Sequence, residues 1–365
     1  MTLHMESPAG AQTVFDGRTM DYFAGTGYLG LQNHPAITQA AQAALQQYGL
    51  STATSRGGYG EHLVYDRFEQ AACAFFDAEK VLYFASGYLG PSILTQGTGN
   101  RFEHIFIDSS AHFSLWDAAY ATNLPISPFH HIRPQSLAEN LKSELRPNER
   151  PLVLSDGVFP VSGEIAPLPE YLALVKPLLG LVYVDDAHAV GVIGRNGRGT
   201  PEYFGIEDES CRSTATLAKA LGGFGGIIWG TAVWVENLDR ASRICAGASP
   251  PPLVVTAASA EALAIARTTP ELRLRLWANV AKARNGIRTL GWELADTPVP
   301  ILCLEGRRGI SLENIKKGLF EQGIAVELVR SYTSTPAGGA LRIAIFATHS
   351  DSQIDHLVYA INQLV

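Results

Sequence analysis

The sequence predicts an α/β protein: a mostly parallel sheet covered by helices, followed by a smaller α+β unit. Three observations carry this. Short apolar runs alternate with longer amphipathic ones through most of the chain, the pattern of strands joined by right-handed helical crossovers. Several of the short runs are apolar on both faces, as strands sandwiched between helices must be. The texture then changes after 249-SPPP-252, where Ala/Leu/Arg-rich stretches over 253–290 precede a second set of short strands.

In order, the first strands are expected at 81–84 (VLYF), 104–108 (HIFID), 151–156 (PLVLSD), 180–186 (GLVYVDD) and 226–235 (GIIWGTAVWV). Helices are expected at 62–77 and 168–179, where apolar residues recur at helical spacing. Later strands are expected at 301–305, 325–329 and 341–347, and a helix closes the chain. The implied division is an N-terminal segment 1–45, a large domain 46–260 and a small domain 261–365.

With 365 residues the chain has ample core to bury, and 46% hydrophobic against 17% charged residues describes a globular protein. A net charge of −7 with no Lys/Arg-rich run argues against nucleic-acid binding. MTLHMESPAGAQ lacks the basic start and apolar core of a secretion signal, and 227-IIWGTAVWV-235 is too short to span a bilayer. The four cysteines show no C-x-x-C spacing, so neither zinc nor a disulfide framework is indicated, and a cytoplasmic protein is expected.

In open α/β sheets chemistry collects at the carboxyl ends of strands. That rule selects Ser86-Gly87-Tyr88, the stretch Asp108 to His112, Asp156-Gly157, Asp185 to His188, and Thr216 with Lys219. Lys219 lies in 214-TATLAKALGGFGG-226 without another charge beside it and ahead of four glycines. Such a stretch is either a helix end with a flexible loop or a place where bare backbone approaches a bulky ligand. A lysine amine can condense with an aldehyde to a Schiff base. Asp185, at the end of an apolar strand, either caps a turn or pairs with a cation such as a protonated pyridine nitrogen. Ser86, Gly87 and Tyr88 sit between a strand and a helix-like run, where free N–H groups favour an anion.

Together these residues resemble the α-oxoamine synthase family, enzymes of the aspartate-aminotransferase fold that use pyridoxal 5′-phosphate. The likeness spans nearly the whole chain: 28-YLGLQNHP-35, 55-SRGGYG-60, 86-SGY-88, 108-DSSAHFSLWDA-118, 157-GVFPVSGEIAPL-168, 185-DDAHAVGVIGRNGRG-199, 216-TLAKALGG-223, 250-PP-251 and 341-LRIAIFATH-349. The resemblance implies that Lys219 carries the cofactor and later moves the substrate α-proton. It implies that Asp185 pairs with the ring nitrogen, that His188 sits near the ring hydroxyl and that His112 stacks on the ring. Ser86, Gly87, Tyr88 and Thr216 would hold the phosphate, and Asp156 would lie beside the cofactor. Arg342, with Tyr28 near it, would take the amino-acid carboxylate.

The same resemblance implies a homodimer with shared sites, and condensation of an amino acid with an acyl thioester such as acyl-CoA, losing CO2 and thiol. Transamination or retro-aldol cleavage is the other reaction class compatible with the same lysine and aspartate. The chain departs from the family at several positions. Gly25-Thr26-Gly27 replaces Ser-Asn-Asp, 51-STAT-54 replaces a glycine-rich stretch, and Tyr65 stands for histidine. Pro160 stands for serine, and Gly247-Ala248 stands for a hydroxyl pair.

Overall fold

The computed structural model describes residues 3–99, 101–307 and 309–365. Strands along the chain are β1 (Gln12–Phe15), β2 (Arg18–Tyr22), β3 (Lys80–Phe84), β4 (His104–Asp108), β5 (Ile126–Phe129), β6 (Pro151–Asp156) and β7 (Leu181–Asp185). They continue with β8 (Cys211–Thr216), β9 (Gly226–Gly230), β10 (Ile301–Glu305), β11 (Ile324–Ala325), β12 (Glu327–Val329) and β13 (Ala340–Ala344).

Seven strands form the large sheet in the order β3-β9-β8-β7-β6-β4-β5. Neighbours from β8 to β5 are parallel, while β9 is antiparallel to both β3 and β8. β3 therefore runs with the other strands, and β9 alone is reversed. Every residue of β4 and β6 is buried, which is why these runs are apolar on both faces. The pleat sorts them: Ile105, Ile107, Leu152 and Leu154 pack in one apolar cluster with Ile93, Leu94, Leu115 and Leu238. Phe106, Val153, Val182 and Val184 face the other way, against Leu137, Leu168, Tyr171 and Leu172.

The C-terminal part holds the antiparallel sheet β10-β13-β12, packed with the helices Glu271–Thr289, Leu312–Glu321 and Asp351–Asn362. The N-terminal hairpin β1-β2 joins it, because β2 pairs in parallel with β11.

Some expected elements shift. The run 226–235 divides: β9 stops at Gly230, and Ala232–Ala241 is a helix. The run 325–329 splits between two sheets, and 341–347 leaves the ladder after Ala344. β5 and β8 escaped the sequence pattern altogether. The expected seam at 260/261 falls inside one helix, Leu253–Thr268, which packs on the helices Pro35–Tyr48 and Leu63–Phe76.

Candidate active site

A cleft of about 770 Å³ opens at the carboxyl ends of β3, β6, β7 and β8, with β12, the residues after it and β13 opposite. The strands deliver the functional groups directly. Asp156, Asp185 and Thr216 are the last residues of β6, β7 and β8, and Asp156 and Asp185 are register partners across the parallel ladder. Ser86, Gly87 and Tyr88 follow β3, and His112 follows β4. These residues, with His188, Lys219 and Arg342, line the cleft. Tyr28 lies behind it, fully buried and hydrogen-bonded to His188.

Lys219 sits in the connection between β8 and the reversed β9, not at a helix end. The connection is closed by Leu217 N–H to the Gly225 carbonyl at 2.9 Å and Gly223 N–H to the Leu217 carbonyl at 2.8 Å. Its glycines serve packing within the protein. Gly222 has φ +64°, and a Cβ there would meet Gln32 N and Leu31 C at 2.8 Å. Gln32 Nε2 also donates to the Lys219 carbonyl at 2.9 Å. The half-buried Lys219 amine lies 2.8 Å from His188 Nε2. Burial lowers its pKa to about 8, with Arg342 acting in the same direction while Asp185 and Asp156 oppose. Burial likewise holds His188 neutral, well below the usual imidazole range, with Lys219 and Arg342 reinforcing it.

The two strand-end carboxylates differ. Asp185 Oδ1 accepts from Ala187 N–H at 3.0 Å and Oδ2 from the Ser114 hydroxyl at 3.3 Å. Asp156 is pushed well above the carboxylate range by burial and by the negative Asp185 beside it, against the pull of the His112 N–H bonded at 2.8 Å. His112 bonds Ser114 Oγ through Nδ1 at 2.8 Å and Tyr332 Oη through Nε2 at 2.9 Å.

Arg342 is 7% exposed and makes no ion pair among the described residues. Nε donates to the Pro160 carbonyl at 2.6 Å, Nη1 to the Gly25 carbonyl at 2.9 Å and Nη2 to Tyr28 Oη at 3.0 Å. Two positions that depart from the family pattern, Gly25 and Pro160, thus hold this arginine by backbone alone.

Sequence reasoning missed Ser114, Tyr332 and His131. Ser114 lay inside a quoted motif without a role, while Tyr332 sits in a loop with no sequence signal. His131 bridges Asp108 Oδ1 at 2.9 Å and Glu164 Oε2 at 3.1 Å, tying the turn before His112 to the segment carrying Pro160.

The residues present fit pyridoxal phosphate. A Cβ on Gly87 would fall 2.6 Å from Thr216 Cβ, so only glycine lets the Ser86–Tyr88 turn close on the end of β8. A primary amine, two buried strand-end carboxyl groups and an arginine free of carboxylate partners among the described residues share the same cleft. Thr216 already donates to the Gly225 carbonyl at 3.0 Å, so serving a phosphate requires its hydroxyl to rotate.

Fold and cleft together define a pyridoxal-phosphate enzyme of the aminotransferase-like fold, and the class I and II aminotransferase profile matches residues 24–361. The chain is 32% identical to 8-amino-7-oxononanoate synthase of Coprothermobacter proteolyticus over 96% of its length and 90% of that protein. It is 33% identical to the Methylococcus capsulatus enzyme of the same name, over 99% and 93%. A variant of serine palmitoyltransferase from S. paucimobilis, solved with a bound PLP–myriocin aldimine, superposes with TM-score 0.91 at 27% identity, covering 100% of this chain and 92% of that one. The chain belongs to the α-oxoamine synthase family of PLP-dependent acyltransferases.

Proposed function

We propose that this enzyme condenses an amino acid with an acyl thioester, such as acyl-CoA, releasing thiol and CO2 to give an α-amino ketone. The observation that carries the reading is one cleft holding a lysine amine of lowered pKa, a buried aspartate oriented by Ala187 and Ser114, and an arginine with no carboxylate partner among the described residues. Bound here, pyridoxal phosphate supplies an electron sink for charge developing at the substrate α-carbon.

Arg342 receives the amino-acid carboxylate, for which its planar fork is suited. Ser86, the Gly87 and Tyr88 amides and Thr216 face the phosphate. Asp185, oriented by Ala187 and Ser114, keeps the ring nitrogen protonated. His188 stands beside the Lys219 amine, and His112 covers the ring, steered by Ser114 and Tyr332. Lys219 takes the α-proton, a role its lowered pKa suits near neutral pH. The α-carbon attacks the thioester carbonyl: a C–C bond forms, the C–S bond breaks and the thiol leaves. The bond to the carboxylate then breaks, CO2 departs, and a proton is returned to the carbon. Four unpaired cysteines support a reducing, cytoplasmic setting, and dimeric sites are proposed on the family's pattern.

Acyl-CoAs of several lengths assayed with glycine, alanine and serine test the reading. Thiol and CO2 release in equal amounts is expected. Amino transfer to a keto acid without either product would overturn it.

A further inference from the structure

Behind the cleft, four side chains form an unbroken line of hydrogen bonds. Arg342 Nη2 lies 3.0 Å from Tyr28 Oη, which lies 2.8 Å from His188 Nδ1, and His188 Nε2 lies 2.8 Å from Lys219 Nζ. The direction of each bond follows from the chemistry of the ends. A guanidinium only donates, so Arg342 gives its proton to the Tyr28 oxygen. Tyr28 is completely buried, and its hydroxyl has only these two partners among the described residues. The Tyr28 proton therefore has one acceptor, His188 Nδ1. A neutral imidazole whose Nδ1 accepts carries its proton on Nε2. That N–H meets the Lys219 nitrogen, which can accept it only through a lone pair, and an ammonium has none.

The reverse arrangement is worse. A charged Lys219 would donate to Nε2, the proton would move to Nδ1, and Nδ1–H would donate to Tyr28. The tyrosine oxygen would then receive two bonds while its own buried O–H pointed at no acceptor, a costly state for a buried donor.

We infer that Tyr28 is a positioning residue that fixes the tautomer of His188 and thereby favours the free amine of Lys219 over its ammonium in the cofactor-free protein. The inference rests on the reading of Lys219 as the cofactor-binding lysine. Other groups also act on the amine: burial and Arg342 favour the neutral form, while Asp185 and Asp156 favour the ammonium. His112, also on the cleft wall, is itself held toward neutrality by burial. The relay adds a directional preference that no point charge supplies.

The test is made on the full-length cofactor-free protein labelled with 15N-histidine, reading the His188 ring nitrogens by NMR at about pH 9, above the Lys219 value of about 8. The His188 signals are identified by their loss in His188→Gln. An unprotonated Nδ1 and a protonated Nε2 are expected; the opposite tautomer overturns the inference. Tyr28→Phe keeps the ring volume and removes the donor. In that variant the midpoint pH for acylation of Lys219, followed by peptide mapping, is expected to rise by about one unit, roughly a tenfold loss of free amine at a given pH. An unchanged midpoint in a variant with native circular dichroism also overturns it. Should Tyr28→Phe not fold, the tautomer in the unmutated protein decides. Borohydride reduction with pyridoxal phosphate and peptide mapping separates the two levels. Capture at Lys219 with the wrong tautomer sinks only this inference, whereas capture elsewhere sinks the site assignment.

Discussion

On one wall of the cleft, Asp156, Asp185 and Thr216 each end a buried strand of the seven-stranded sheet. On the other, β12 and residues 330–332 are half-buried or exposed, and only Arg342 is anchored in a buried strand. The first wall is held by parallel ladders on both sides of β6 and β7. The second is an edge strand and a loop tied to the first wall through Tyr332, whose hydroxyl meets His112 and whose ring packs edge-on against Phe113. In the proposed reading, the groups that meet the cofactor at fixed distance sit on the rigid wall and those that meet a variable substrate on the adaptable one.

This contrast can be broken in four places. Removing the amine by Lys219→Ala is expected to lower kcat by about a thousandfold or more, because both cofactor capture and α-proton transfer use it. Residual activity near the unmutated level would show that the rigid wall holds the wrong nucleophile. Arg342→Lys keeps the charge and loses the fork; KM for the amino acid is expected to rise about tenfold with kcat little changed. An equal fall in kcat instead would place Arg342 with the chemistry.

His131 ties the turn before His112 to the segment carrying Pro160, both on the sheet side of the cleft. Burial opposes its charge, but Asp108 and Glu164 raise its pKa to about 9. A histidine pKa raised on folding stabilises most below its unfolded value of about 6.5 and loses that contribution as pH rises through about 9. Denaturant melts are therefore expected to show stability falling across this window and a flatter slope in His131→Asn. An unchanged slope would mean the bridge is not ionic. The smallest effect belongs to Tyr332→Phe, which removes one half-exposed hydrogen bond and is expected to change kcat/KM about threefold.

The rigid wall was largely legible in the sequence. Runs such as PLVLSD and LVYVD end in the residue that enters the cleft, so strand pattern and site position coincide. β8 was not legible, because CRSTAT buries Ser213, Thr214 and Thr216, and such polar side chains leave no apolar signature; Thr214 and Thr216 donate to the Ile227 and Gly225 carbonyls. The run 226–235 misled for the opposite reason. WGTAVWV continues the apolar texture of β9, yet Thr231 turns the chain into an amphipathic helix. The adaptable wall was nearly invisible: Tyr332 reaches His112 across 220 positions of sequence, and no local spacing encodes that meeting. Arg342 was found through its motif, but its backbone partners at Gly25 and Pro160 are carbonyls, which any residue could offer.

The reversed direction of β9 has a mechanical consequence. Because the chain doubles straight back after β8, Lys219 is mounted on a short bend clamped at both shoulders by Leu217, Gly223 and Gly225. Such a mount has no hinge. In the proposed reaction, each time the amine hands over one partner and accepts another, the travel comes from rotation of its own four-carbon arm, and lengthening the bend by a residue would misaim that arm.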